Sequence, residues 1–393
     1  MALVGLMGMT TERAAAQKKE KVILDTDMVE VFDDGVAMMM LAKAPNIDLL
    51  GVTIVIGNTW VPEGTAYGIR QLECVNRTDI PIVPGIRQPI YPNRFETIKN
   101  ERILFGIGDA YVGAAGYPEP ASWRAVYLQK YGREPSVQPL DMKAVNFIID
   151  RVKANPGEVT ILAIGTCVNL ATAVRIAPEI VPLIKRVVYM GGSFFRPGNT
   201  TPTAEFNWWL DPEAAKICVR TPFKEQIIVG LDVCEKMAFR KDRYERITNL
   251  VRNEGIKGMM KRNYLNVKFL EEPTYTHYVW DVIAASILID PTLIREEVKR
   301  YVDVNSQFGF SYGQALAFDS NQPIGSQQAR LILTVEDGIL EGGFGQKVAA
   351  FYGERGDVRV VNYGLPKKFF NRYNPVALAR EYHLTAPQIA ADV

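Results

Sequence analysis

Asp25, Asp27, Asp33 and Asp34 stand close together near the start of the chain, with Glu30 among them. Carboxylates this dense repel one another unless a cation or strong hydrogen-bond donors neutralise them. Calcium accepts carboxylates, carbonyls and waters together, taking about six to eight oxygen ligands. Water bound to a metal has a lowered pKa, and a nearby carboxylate can take its proton. One reading of the segment is therefore a metal site that makes a nucleophile from water. The other is a solvated acidic loop, with Asp33-Asp34 capping a helix that begins at Gly35. The segment alone leaves both open.

Other chemistries have few residues to work with. The 393-residue chain has two histidines, His277 and His383, and four cysteines at 74, 167, 218 and 234. No two cysteines form a C-x-x-C pair, which argues against structural zinc and against a disulfide framework. The net charge is +1, so nothing points to a nucleic-acid partner. Apolar residues make up 48% and charged residues 23%, enough for a full core. No apolar run approaches the length of a membrane span.

Acids at a strand end need a scaffold. Apolar runs at Lys21–Asp25, Ile47–Ile56, Pro81–Pro84, Val159–Ile164, Arg186–Met190 and Glu225–Leu231 read as strands. Helical spacing follows at Gly35–Lys43, Ala144–Asn155, Asn169–Ile176 and Asp211–Val219. This alternation predicts an α/β fold, a mostly parallel central sheet with helices on both faces. Ligands in such folds bind beyond the carboxyl ends of the strands. Asp25, Asn58, Gly165 and Gly191 end four of them. Asp232 ends another and is read as structural. Residues 86–140 read as long loops with a helix or two, and residues 295–365 as a meander of short strands. Residues 21–393 are read as one domain. Residues 1–20 are read as a tail, or as a truncated export signal, because Ala14-Ala15-Ala16-Gln17 resembles a cleavage site but no basic residue precedes the apolar Ala2–Met9. The compartment is accordingly cytoplasmic or exported.

Several blocks together resemble one family, the inosine–uridine nucleoside hydrolases. These are ILDTDMVEVFDDGVAMMMLA with LLGVTIVIGNTW, EVTILAIGTCVNLATAV, RVVYMGGSF, GNTTPTAEFNWWLDPEAAKIC and TYTHYVWDVIAASILIDPTLI. They fall in the family's order over roughly residues 21–295, and the E-F-N…D-P-E-A-A block is the most specific. The resemblance implies hydrolysis of the bond between ribose and a nitrogenous base, with Ca²⁺, by a homodimer or homotetramer. It implies Asp27 as general base and calcium contact. Asp34, Asp281 and the main-chain carbonyl of Ile164 are its implied remaining calcium ligands. Asp33, Asn58, Asn199, Glu205 and Asn207 are implied to hold the ribose hydroxyls, and Asp25 to orient the loop. Leu24–Val29 also resembles the nucleophile motif of haloacid-dehalogenase phosphatases, but no later Lys and paired acids complete it. A ribosyl-binding protein that has lost hydrolysis is a further alternative.

Two departures bear on substrate. Asp27 and Asp33 are separated by MVEVF, two residues more than the family pattern. This puts Glu30 inside the loop, where it could replace one of the acids, and lets Val31 or Phe32 reach the pocket. Where many members have His before the final Asp, this chain has Trp280. Purine-preferring members carry Trp there, so a purine ribonucleoside is the expected substrate, stacked on Trp280. Trp60 is a second candidate stacking face, and His277 a candidate proton donor.

Overall fold

The computed structural model describes residues 18–108 and 110–335. The assignments made to the tail before residue 18 and to the strands beyond 335 lie outside the described residues. Nine strands are found among the described residues: β1 Glu20–Thr26, β2 Ile47–Ile54, β3 Ile82–Pro84, β4 Val159–Ala163, β5 Arg186–Met190, β6 Gln226–Val229, β7 Ile294–Val304, β8 Ala315–Phe318 and β9 Gln327–Val335. They form one sheet in the order β3-β2-β1-β4-β5-β6-β9-β7-β8. Every pairing from β3 across to β9 is parallel, and β7 runs antiparallel to both neighbours.

Alternate side chains of the central strands feed two separate cores, as the two-residue period of a strand requires. Val22, Leu24, Leu162 and Val188 face helices Asp34–Lys43, Val61–Cys74 and Trp280–Ile289. Ile23, Ile161 and Val187 face helices Ala144–Ala154, Val168–Ile176 and Pro212–Arg220. Helices thus cover both faces of a mostly parallel sheet. The chain runs outward from β1 through β2 and β3, then returns to β4 on the other side of β1. That reversal is a switch point, and it opens a crevice between the carboxyl ends of β1 and β4.

Some elements depart from expectation. Glu225–Leu231 is shorter as a strand, and Leu231–Cys234 turns into a helical segment. Residues 295–335 do form an antiparallel run of strands, β8-β7-β9, but it continues the main sheet and its strands are not all short. Their 11-residue β7 joins the main sheet. Helix Val61–Cys74 was not anticipated, because Pro62, Gly64 and Gly68 are poor helix formers. Pro62 lies in the first turn, where its missing N–H costs nothing. The glycines let the helix lie close on the sheet: a Cβ on Gly64 would come 2.8 Å from the Ile54 side chain.

Asp211 caps helix Pro212–Arg220, accepting from the Ala214 and Ile90 amides at 3.0 and 2.8 Å. Burial lifts its carboxyl from the ordinary 3.8 to about 7, against the pull of those two donors. The folded state therefore keeps this proton between about pH 4 and 7, where the unfolded chain has released it. Stability from this group is greatest at the acid end and falls as pH rises through that window. Asp211→Asn keeps the cap and should make the fall of Tm between pH 4 and 7 shallower. Thermal denaturation across that range checks it, and an unaltered slope would contradict it.

Candidate active site

The residues at the carboxyl ends of β1, β2, β4 and β5 converge. Asp27 follows β1 and is fully buried. Its Oδ2 accepts the Asn58 amide at 2.5 Å. Two glycines make room for it. A Cβ on Gly57 would fall 2.0 Å from Asp27 Oδ2, and one on Gly165 would fall 2.7 Å from the Asp27 nitrogen. Thr59 donates to the Asp27 and Met28 carbonyls, fixing the first turn of the loop. Asp34 opens the next helix and accepts from the Thr26 hydroxyl at 2.5 Å.

Asp33 accepts from the Asp281 and Val282 amides at 2.8 and 3.3 Å. It thereby docks the N-terminus of helix Trp280–Ile289 onto the acidic loop and brings Asp281 to Asp34. Glu205 caps helix Phe206–Leu210, accepting from the Asn207, Trp208 and Gly192 amides at 2.7, 3.1 and 3.0 Å. Asn207 Nδ2 donates to the carbonyls of Ile164 and Met190 at 3.0 and 3.2 Å, bridging β4 and β5. Asn199 Oδ1 accepts from the Phe206 amide at 2.9 Å.

The electrostatics are severe. Burial pushes the carboxyls of Asp27, Asp33, Asp34 and Asp281 upward. The charge of Asp34 raises Asp27 and Asp33 further, while Asp33, Asp34 and Asp27 raise Asp281. Burial also lifts Glu205 to about 7, despite its three amide donors. Asp27 Oδ1, Asp34 Oδ2 and Asn207 Oδ1 are buried without a hydrogen-bond partner. Unmatched oxygens among mutually repelling acids fit a hard cation. The acids are gathered rather than finished as a cage. Among the described residues, no group of three or more acids, histidines or cysteines is arranged to hold an ion as it stands.

A cavity of about 620 Å³ opens above this floor. Asp33, Asp34, Asn58, Ile164, Asn199, Glu205, Asn207, His277, Trp280 and Asp281 all line it. Asp27 is not on its wall. It stands behind Asn58 and Asp34, both of which are.

Two expectations are corrected and one is sharpened. Trp60 does not line the cavity. Its indole N–H is held by the Tyr117 carbonyl at 2.9 Å, and its ring packs edge-on to Phe95. Asp25 acts on the loop from the strand before it and not by a direct bond. Its Oδ1 ties the Thr53 hydroxyl and the Asn169 amide together at 2.6 and 2.8 Å, bracing β1 against β2 and the helix after β4. Glu30 takes the place of none of the four acids. It points instead to Lys130 and Arg262, 3.3 and 3.6 Å away. His277 does reach the cavity, but burial lowers it to about 4, so its ring is neutral near pH 7 and a poor acid.

Sequence reading missed Tyr67, Tyr111, Tyr117, Lys130, Arg262 and Tyr264 on the cavity wall. Arg262 and Tyr264 come from helices Glu254–Arg262 and Tyr264–Glu271, which no motif marked. Only the density of aromatic residues from 264 to 280 hinted at them.

Residues 22–340 match the model of one family, the inosine-uridine preferring nucleoside hydrolases. The chain belongs to that family and is an N-glycosyl hydrolase acting on ribonucleosides. It is 31% identical over 306 residues to the pyrimidine-specific ribonucleoside hydrolase RihB of Escherichia coli O9:H4 (strain HS), an alignment covering 76% of this chain and 87% of the relative. Among solved structures, the plant nucleoside hydrolase PpNRh1 superposes with a TM-score of 0.64 at 25% identity, covering 81% of this chain and 95% of that one. A purine-preferring ribonucleoside hydrolase from Gardnerella vaginalis shares the fold, with a TM-score of 0.64 at 23% identity over 81% of this chain and 94% of that one. Membership removes the phosphohydrolase reading of the acidic motif.

Gly57→Ala tests the packing around Asp27. The added methyl must displace the Asp27 carboxylate, and if that carboxylate serves the reaction the shift should cost about 100-fold in turnover. Release of free base by a variant with an unchanged circular dichroism spectrum is the measurement. Near-normal turnover would show that Asp27 is not held where the reaction needs it.

Proposed function

We propose that the enzyme is a calcium-dependent hydrolase preferring purine ribonucleosides, with Asp27 as the general base. The observation that carries this reading is the pairing of two surfaces in one cavity. The floor holds buried acids with unpartnered oxygens, and the rim is aromatic. Asp27, Asp34, Asp281 and the Ile164 carbonyl would hold the ion. For Ile164 this requires its carbonyl to be shared with, or released by, Asn207 Nδ2. A bound divalent cation lowers the pKa of an attached water and orients it.

The protein's own groups do the rest. Asp27 keeps one oxygen pinned by the Asn58 amide, which leaves Oδ1 to take a proton from water. Breaking the N-glycosidic bond builds positive charge on the sugar ring. The carboxylates of Asp33, Asp34, Asp281 and Glu205 set a negative field where that charge develops. Asn199, Glu205 and Asn207 already spend polar atoms on backbone partners, so they are rigid when they meet the ribose hydroxyls. A site built around such hydroxyls rejects sugars that lack them, because buried partners would be left unpaired.

The base preference must come from this chain's own rim, since one relative is a pyrimidine-specific hydrolase and a structural neighbour a purine-preferring one. Trp280 lines the cavity half-buried, with His277 edge-on to its ring at 5.2 Å. That wall offers a broad π face, and the cavity has room for a bicyclic base beside a ribose.

Three measurements test the reading. Ribonucleosides assayed for free base should lose turnover in a chelator and regain it with Ca²⁺. Full activity in the chelator would remove the metal from the proposal. Asp27→Ala should lower kcat by about 10²–10⁴-fold, the usual worth of a general base, and a retained rate would reassign that role. Trp280→Ala should raise KM for inosine and guanosine by about tenfold or more through lost stacking. An equal rise for uridine and cytidine would count against purine preference.

A further inference from the structure

The loop between Asp27 and Asp33 carries a second acidic device. Val31 and Phe32 both have left-handed backbones, with φ of 41° and 36°. A β-branched residue and its neighbour rarely adopt this conformation together, and strain of this kind clusters at ligand-binding positions. The surroundings hold it in place. Gln71 accepts the Val31 amide at 2.9 Å and donates to the Val29 carbonyl at 3.2 Å. Gly35 leaves space for Gln71, since a Cβ there would lie 1.9 Å from its amide oxygen. The Phe32 ring packs against Phe239 and Tyr244 at 5.1 and 5.3 Å.

What this conformation presents is Glu30. Its side chain is only 9% exposed, yet it lines the cavity. Its Oε1 is buried and accepts no hydrogen bond. Lys130 and Arg262 stand at ion-pair distance on either side, and both also line the cavity. A purely structural pair in this protein looks different: the buried Arg94 and Glu101 are in direct hydrogen-bonded contact. Glu30 is held by charge, with Arg262 against Oε1, Lys130 against Oε2 and the Tyr131 hydroxyl close by, yet its buried Oε1 makes no hydrogen bond with any of them. An acceptor flanked by donors complements a base edge on which a ring N–H lies next to a carbonyl.

We propose that Glu30 is a specificity-determining residue. Its carboxylate accepts a hydrogen bond from the ring N–H of the substrate's base, while Lys130 or Arg262 donates to the adjacent carbonyl. This rests on the ribonucleoside reading above and names the base class within it.

The test compares inosine, whose base carries that N–H and carbonyl, with purine riboside, whose base has neither. Ribose release gives kcat/KM for both, in the wild type, Glu30→Ala and Glu30→Gln. In Glu30→Ala the inosine to purine riboside ratio should fall about ten- to hundredfold, the worth of a hydrogen bond to a charged acceptor. Glu30→Gln, which keeps the shape and a weaker acceptor, should show a smaller fall, and it carries the test if Glu30→Ala does not fold. A ratio unchanged within twofold overturns the proposal, whether both rates drop together or neither drops. A wild-type enzyme that releases ribose from neither nucleoside overturns the substrate reading itself, a result separable from an unchanged ratio.

Discussion

The fold is organised around a repulsion. Four aspartates, Asp27, Asp33, Asp34 and Asp281, are buried together with no basic side chain hydrogen-bonded to any of them among the described residues. Burying one unpaired carboxylate costs several kcal/mol, of the order of a small domain's whole net stability. The structure spreads this cost over backbone amides and one threonine hydroxyl. Asn58 serves Asp27, the start of the last core helix serves Asp33, and Thr26 serves Asp34. These donors position the acids without neutralising them. The remaining unpaired oxygens are acceptors of the kind a hard cation takes.

The same constraint explains which glycines and which strand ends matter. Parallel strands stop in register at β1 and β4, and Asp27 must sit between Gly57 and Gly165 to fit. Asp25, two residues earlier and still within β1, does not line the cavity. Its carboxylate locks β1 to β2 and to the helix after β4, and so fixes where Asp27 emerges. A residue of the same type, two positions away, therefore does an entirely different job, because Asp25 lies within β1 between its two neighbouring strands while Asp27 lies past the strand's end.

Much of the floor was legible in the sequence because it is local. Acids at a strand end, glycines after the next strands and the E-F-N…D-P-E-A-A block all mark short segments whose geometry depends on near neighbours. The rim was not legible. Lys130, Arg262 and Tyr264 come from separate helices, and nothing in their spacing says that they meet. Trp60 shows the opposite failure. Its place just after Asn58 suggested the pocket, but helix Val61–Cys74 starts there and turns the ring toward Phe95. The longer Met28–Phe32 segment was visible as an insertion. The left-handed turn at Val31 and Phe32 was not, because neither residue favours it and only the Gln71 and Phe239 contacts enforce it.

This division has a consequence for how the site can vary. The floor is pinned by sheet register and by hydrogen bonds that each serve two elements, so a change there moves several acids at once. The helices that carry Lys130, Arg262 and Tyr264 pack mainly on helix Val61–Cys74 and on one another, and apolar packing of that kind tolerates change when volume is kept. The cavity wall formed by Glu30, Lys130 and Arg262 can thus change while the buried acids stay in place. A family whose members differ in base preference but share this fold is what such an arrangement should produce. The two extra residues in the acidic loop fit the same logic, since Asp27, Asp33 and Asp34 stay anchored while Val29, Glu30, Val31 and Phe32 line the cavity wall between them.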